Sequence, residues 1–388
     1  MFPKTPISQP PSLTQLAALV WDVIVVGAGP AGCAAAITAA RAGLQVLLVD
    51  AKRFPRRKVC GGCLNRQSIA LLRDLLGETH PLWAQTLSLS RFLLTHRRRQ
   101  FDFPMPEGLA VDRAVLDQSL VEVAQRAGVT FCGSVTAKLQ SVAGSARLVE
   151  LTASGQTAQV AARAVVLASG LGGRAAGDHS ALLQVSHPTS RVGIEAILET
   201  FPEHYGAGAI HMVVGRHGYV GLTQIAGRRL HVAAAVDRAA LQHYGPAGLA
   251  QDILHTAGAA QLPEAAQAIW RGTPPLTCRA SQLSAERVFL VGDAAGYVEP
   301  FTGEGIRWAL QAGVAVAPLL VRCQTGWKTD LEREWQDWYR TTIESDQRLC
   351  LRLANGLKRA PVRWMAHQAL RFRPRFASTI IERLNQES

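Results

Sequence analysis

This sequence is short of cysteine, short of acid and without an evident membrane span. Seven cysteines in 388 residues are too few for a disulfide framework, and an odd count fits a reducing cytosol. No apolar run is expected to reach the ~18–20 residues that a span requires. Residues 1–20 lack the charged start and apolar centre of a secretory signal, and read as a loose N-terminal arm. The expected location is therefore the cytoplasm. Asp and Glu number 29 against 41 Lys and Arg, a net charge of +12. Such an excess can attract nucleic acid, anionic lipid, an acidic carrier protein or an anionic cofactor. Neither paired zinc ligands nor an RNP pattern is visible, so nucleic acid is not an expected partner. The eleven histidines show no ligand spacing, and no metal site is expected. Internal repeats and low-complexity tracts are also missing.

What the chain does have is Asp22–Asp50, DVIVVGAGPAGCAAAITAARAGLQVLLVD. Val23–Val26 reads as a buried parallel strand. A helix runs to Ala42, with Gly43 as its stop, and a second strand, Leu44–Val49, ends on Asp50. Gly27 permits a tight turn, Gly29 lets backbone approach a pyrophosphate, and Gly32 lets the helix pack on the sheet, with Ala31 between them. The helix N-terminus points free N–H groups at the phosphates. Asp50 stands where a ribose hydroxyl would be bound, and Ala51 follows it. A Gly-x-Gly-x-x-Gly alone is weak, but with both strands, helix and terminal acid present the unit reads as a dinucleotide site.

Downstream, the basic loop 51–65 leads into a helix over Gln67–Leu76, and residues 87–104 suggest a hairpin around His96–Arg99. Val111-Asp112-Arg113 opens another helix that stops at Gly128. Polar alternation marks strands at Ala146–Thr152 and Thr157–Ala162, and Ala164–Leu167 reads as a buried strand before Gly170 and Gly172. Residues 186–275 change to antiparallel alternation, with helices expected at Ala247–Thr256 and Pro263–Trp270. The buried-strand style returns at Val288–Val291, and a helix runs from Gly305 to about Arg322. From Thr329 the chain reads as helical.

Four separated motifs together resemble the p-hydroxybenzoate-hydroxylase-type FAD superfamily: GAGPAG with Asp50, VDR at 111–113, VVLASG at 165–170 and VGDAAG…GEGI at 291–306. FPRRKVCGG at 54–62 and EPFTGEGI at 299–306 resemble its geranylgeranyl-reductase-like subgroup. The resemblance covers about residues 20–325. It implies an α/β fold with a Rossmann-type FAD-binding domain (21–185 and 276–328), an inserted α+β antiparallel-sheet substrate domain (186–275) and a helical C-terminal region (329–388). It also implies that Arg113 contacts the FAD phosphate or ribityl region, that Gly170 packs beside FAD, and that Cys60 and Gly61 line the flavin. NAD(P)H or another reductant would serve as a transient electron donor, since no second fingerprint exists.

The residues carry a reading of their own. Asp293 can accept a hydrogen bond from a ribityl hydroxyl or simply cap a helix. Gly303 and Gly305 stand where backbone must approach the flavin edge, and the helix from Ile306 offers its dipole to a reduced, anionic ring. Lys58 and its basic neighbours either hold FAD phosphates and draw in an anionic head, or lie in solvent. Cys63 stands where the family has glycine, creating a CxxC. That pair can be a redox dithiol, Cys60 alone can shape the site or handle a proton, or both can be inert.

Between Leu351 and Ile381 the basic residues Arg352, Lys358, Arg359, Arg363, Arg371, Arg373 and Arg375 alternate with apolar ones and no acid intervenes. This stretch can dock on a membrane surface or carrier protein, or pack on the body. Trp270, Trp308, Trp335 and Trp338 read as core or interface residues. The expected activity is FAD-dependent reduction of C=C bonds in a small, hydrophobic, isoprenoid-like substrate. The alternatives are an aromatic monooxygenase or halogenase, although the halogenase WxWxIP signature is missing, and a non-catalytic flavin-bound docking protein.

Overall fold

A computed structural model describes residues 11–299 and 303–358. Val20–Val26 and Val46–Asp50 are parallel strands, Val23 pairing with Val46 and Val26 with Val49. Apart from exposed Val20 at the start, their β-branched and leucine side chains are buried, as befits a parallel strand covered on both faces. Between them runs helix Pro30–Arg41, with proline in its first turn, where the missing N–H costs nothing. Its alanines let a second helix, Gly305–Ala315, come close. A Cβ on Gly313 would lie 2.2 Å from the Ala31 carbonyl oxygen.

The first sheet has the strand order Ser284–Ala285, Val288–Leu290, Gln156–Leu167, Val20–Val26, Val46–Asp50, Thr130–Gly133. Only the outermost pair, at 284–289, is antiparallel along this path. The strands at 157–162 and 164–167 prove to be one, running from Gln156 to Leu167. Its first half pairs with Ala146–Ala153 in a hairpin, and its buried end enters the parallel core.

The second sheet orders Arg271–Pro275, Val192–Leu198, Arg229–Val236, Gly218–Ile225, Ala209–Val214, Leu87–His96, Arg99–Ala110 and Cys63–Asn65. Three of its strands thus come from 63–110, inside the segment expected to build only the first domain. The hairpin turns where expected, with Arg97 and Arg98 both at positive φ. A parallel pairing of Ala209–Val214 with Arg91–Thr95 carries it into this sheet, and local spacing holds no sign of that partner. One face packs Ile194, Val220, Leu222, Val232 and Ala234 on helix Arg238–Ala257. That helix kinks at Gly245, so the helix expected at 247–256 is its second half. The helix expected at 263–270 is only a 3-10 turn, Pro263–Ala266, because Arg271–Pro275 is drawn into the sheet edge.

Three further expectations need correction. Residues 12–20 are not a loose arm. Ser12 and Gln15 form a reciprocal cap on helix Leu13–Ala17, and Leu16 is buried beneath Trp21, whose Nε1 donates to its carbonyl at 3.1 Å. Residues 1–10 lie outside the described residues. The second correction is that Gly305–Thr325 is long and apolar enough by length and composition to span a membrane. Two-thirds of its apolar window is buried within the body, the behaviour of a core helix. The third concerns continuity: this stretch is two helices, Gly305–Ala315 and Ala317–Arg322, with a 3-10 turn after them. The C-terminal region is helical through Lys358 and is joined to the first sheet by Trp335, whose Nε1 donates to the Leu290 carbonyl at 3.1 Å. Most of the basic stretch, from Arg359 through Arg375, lies outside the described residues.

Candidate cofactor and active site

The glycine turn is shaped on one side and open on the other. Gly27 adopts φ +108°, and a Cβ there would sit 2.3 Å from the Ala168 carbonyl oxygen. A Cβ on Gly32 would lie 1.8 Å from the Gly27 oxygen. Around Gly29, by contrast, the nearest atom to a built Cβ is Arg56 Nη2 at 3.6 Å. Backbone fills the sheet side, and the outer side stays free for a ligand to approach. Asp50 closes the turn: its Oδ2 accepts from Ala28 N and its Oδ1 from Lys52 N, each at 2.9 Å. Ala51 is exposed at the strand end, and Ala31 packs against Gly292. A glycine cradle before a helix N-terminus, with cations beside it, fits a pyrophosphate.

Those cations form a chain. Arg56 lies 3.4 Å from Asp50 and 3.1 Å from Asp117, over the Phe54 ring. Fully buried Asp117 also accepts two N–H bonds from Arg113, both at 3.0 Å. Burial opposes the Arg113 charge, but Asp117 and the Cys60 thiol outweigh it and hold the guanidinium more firmly protonated. Arg113 therefore faces an acid on one side and Cys60 on the other. The sequence reading missed Asp117, although an acid four residues after Arg113 on one helix face is a legible pair.

Lys58 reaches across to Asp293 at 3.2 Å, and its Nζ sits 3.0 Å from a Cβ built on Gly170. Gly170 and Gly172 are both at positive φ. Lys58, Gly170 and Asp293 thus converge from three parts of the chain. Beyond Asp293, Tyr297 packs its ring against Gly305, 3.1 Å from a built Cβ. Burial, Asp293 and Cys60 all push the Tyr297 hydroxyl far above its ordinary range, so it remains a phenol. Gly303 is at φ +82° with open space beside it, and Ile306 is buried.

Residues 300–302 lie outside the described residues, yet both flanks are pinned. Glu299 pairs with Arg191 at 3.0 Å, and Arg191 also reaches Asp237 at 3.0 Å. Buried Glu304 pairs with Arg307 at 2.6 Å and accepts from Asn65 Nδ2 at 2.9 Å, while Arg307 bonds Asp346 as well. None of these pairs was foreseen. The acids of EPFTGEGI are visible in sequence, and Arg307 lies only three residues after Glu304, but Arg191, Asn65 and Asp346 are far away in it.

The two thiols of the cysteine loop have different partners. The Cys60 Sγ faces Gly62 N at 3.5 Å and Arg113, and the Cys60 N–H donates to Glu195 Oε2 at 3.0 Å. The Cys63 Sγ instead donates to the Gly61 carbonyl at 3.3 Å and lies 3.7 Å from Thr223 Oγ1. Both cysteines are free thiols. Burial pushes the Cys63 thiol up to about 12, against a weaker opposing effect of Thr223. It is a neutral thiol at physiological pH and a poor nucleophile. We expect iodoacetamide at neutral pH to leave Cys63 unlabelled in native protein while labelling it in urea. Tandem mass spectrometry of the peptide containing 59–66 checks this. Gly61, with nothing within 4 Å of a built Cβ, forms the open side of the loop.

Residues 20–331 match a family model described as FAD binding domain. Menaquinone reductase of Mycobacterium tuberculosis is 29% identical over 355 residues, covering 81% of this chain and 78% of that protein. Digeranylgeranylglycerophospholipid reductase 1 of Methanothermobacter thermautotrophicus is 28% identical, covering 76% of this chain and 75% of its own. Among solved structures, p-nitrophenol 4-monooxygenase of Pseudomonas putida superposes with a TM-score of 0.75 at 16% identity, covering 95% and 99% of the two chains.

Proposed function

We propose that this chain, an FAD-dependent oxidoreductase that belongs to the FAD-binding domain family, reduces carbon–carbon double bonds in an apolar, isoprenoid-like substrate. The observation that carries the reading is an apolar patch beside the Cys60 loop. Met212, Tyr219, Ala235 and Leu276 are buried together, with Phe92, Leu171 and Tyr297 packed against them. Strand alternation places this patch on the second-sheet face opposite helix Arg238–Ala257, the face that meets the flavin loops. An apolar chain lying there touches Tyr297, which is adjacent to Gly305 and within the electrostatic reach of Cys60 and Arg113.

The residues that would hold FAD follow from the cradle. Gly27, Gly29 and Gly32 take the pyrophosphate and Asp50 the ribose. Lys58, Gly170 and Asp293 take the ribityl region, and Gly303, Gly305 and Ile306 the ring edge. FAD supplies the hydride chemistry when bound. Cys60 gives the proton that balances the hydride, so that one hydrogen is added at each carbon of the double bond. The Arg113 guanidinium stands beside Sγ. NAD(P)H or another reductant returns the electrons.

The reductase names of the two relatives support reduction over oxygenation. To test the reading, the reduced holoenzyme is incubated anaerobically with prenylated quinones or prenyl lipids, and products are weighed by mass spectrometry. Two added hydrogens per bond are expected without oxygen, and Cys60→Ser should slow turnover about a hundredfold or more. A product that needs oxygen and gains oxygen or halogen would favour the monooxygenase or halogenase reading. Bound flavin that reduces no substrate would favour a docking role.

A further inference from the structure

Strand Val192–Leu198 carries one acid in an otherwise apolar run, Glu195, and it is 2% exposed. On the next strand, His231 is 3% exposed and pairs opposite Ile197, so it shares the Glu195 face one diagonal away. Glu195 Oε2 stands 3.6 Å from His231 Nε2 and accepts the Cys60 N–H at 3.0 Å. His231 Nδ1 lies 3.0 Å from a Cβ built on Gly62, so the imidazole rests on the loop itself. Neither ring nitrogen has a hydrogen-bond partner among the described residues.

A carboxylate so buried is costly unless paired and hydrogen-bonded, and an apolar residue would fill the same strand position without that cost. What Glu195 does that an apolar residue cannot is capture one particular N–H, that of Cys60, and aim the residue carrying the thiol. His231 stands 3.6 Å from that carboxylate and rests on the loop at Gly62, so it confines the carboxylate by packing. Thr223, opposite His231 in the sheet, sits at the Cys63 end of the same loop. Second-sheet side chains therefore meet the loop at residues 60, 62 and 63.

We propose that Glu195 is the positioning residue of the Cys60 thiol, with His231 packed against its carboxylate and the loop. For the use made of Cys60 the inference rests on the reductase reading, but the anchoring itself is measurable without any substrate. The experiment uses FAD-loaded full-length protein and follows iodoacetamide labelling of Cys60 by mass spectrometry, beside flavin absorbance. Glu195→Ala should retain FAD yet speed Cys60 labelling about tenfold, as expected for the loss of a hydrogen bond to a charged group. Glu195→Gln keeps an acceptor for the Cys60 N–H and should restore most of the wild-type rate. In turnover, Glu195→Ala should lower kcat with little change in KM, since it misplaces the thiol and not the apolar patch. Should Glu195→Ala fail to fold, His231→Gln serves instead and should also speed labelling. Folded, FAD-loaded variants that label at the wild-type rate would overturn the proposal. Faster labelling in an enzyme that reduces no prenyl substrate would uphold the positioning role and sink the reductase reading.

Discussion

Replacing Gly32 with alanine is expected to leave the protein without flavin. The added Cβ would lie 1.8 Å from the Gly27 oxygen, 3.0 Å from its carbonyl carbon and 3.1 Å from the Ala168 Cβ. Two of these three neighbours are backbone, so no rotamer change relieves the contact. Gly27 cannot retreat, because it is itself wedged against Ala168 at φ +108°. The start of helix Pro30–Arg41 must move out, and the N–H groups that face a pyrophosphate move with it. Overpacking of this kind costs about 1–3 kcal/mol of stability, and the displaced helix end costs affinity as well. The FAD-to-protein ratio after purification should fall below about a tenth of wild type, as judged by absorbance, and added FAD should no longer raise the melting temperature. Gly43→Ala is the comparison. It also lies at positive φ, +87°, but has nothing within 4 Å of a built Cβ. It should cost roughly 1–2 kcal/mol and keep its flavin. Equal loss of flavin in the two variants would mean that the close approach at Gly32 is not what shapes the site.

The second large effect is expected at Arg113. Its bidentate partner Asp117 is fully buried, so Arg113→Leu leaves a carboxylate with Arg56, 3.1 Å away, as its remaining cation. Removing one member of a buried pair costs about 3–5 kcal/mol, and Arg56 should place this case at the lower end. A urea midpoint measures it. Replacing both residues with leucine removes the stranded charge and should recover most of the stability. Flavin affinity should stay low in that double variant if Arg113 also contacts the cofactor. A double variant that regains both stability and flavin affinity would reduce Arg113 to a structural residue.

The part of this site legible in sequence is the part made by neighbours in sequence. Gly27, Gly29, Gly32 and Asp50 lie within one strand–helix–strand unit, where a short spacing rule carries the geometry. The hairpin at His96–Arg99 was visible for the same reason, through its own alternation and turn. Its membership of the second sheet was not, because that depends on pairing with Ala209–Val214, more than a hundred residues away. Glu195 and His231 illustrate the limit more sharply. Each is a lone polar residue in an apolar strand, which marks it as unusual, but only sheet register brings the two together under Cys60. Asp117 is the opposite case. Its helical spacing from Arg113 lay in plain view, and the apolar helix around it should have raised the question of what a buried acid pairs with.

The order in which the sheet is closed bears on how the chain is made. Gln156–Leu167 sits between Val20–Val26 and Val288–Leu290, and its second neighbour follows about 120 residues later. At about 5–20 residues per second, a ribosome needs about 6–24 s to supply that neighbour after the 156–167 strand has been made. During this interval one edge of the central strand has no partner, and Asp293 has not yet been synthesised to meet Lys58. The nascent chain thus carries an open, apolar strand edge for seconds, a surface that invites pairing with other chains. Yield in a cell should therefore depend on chaperone supply during synthesis more than on the stability of the finished fold.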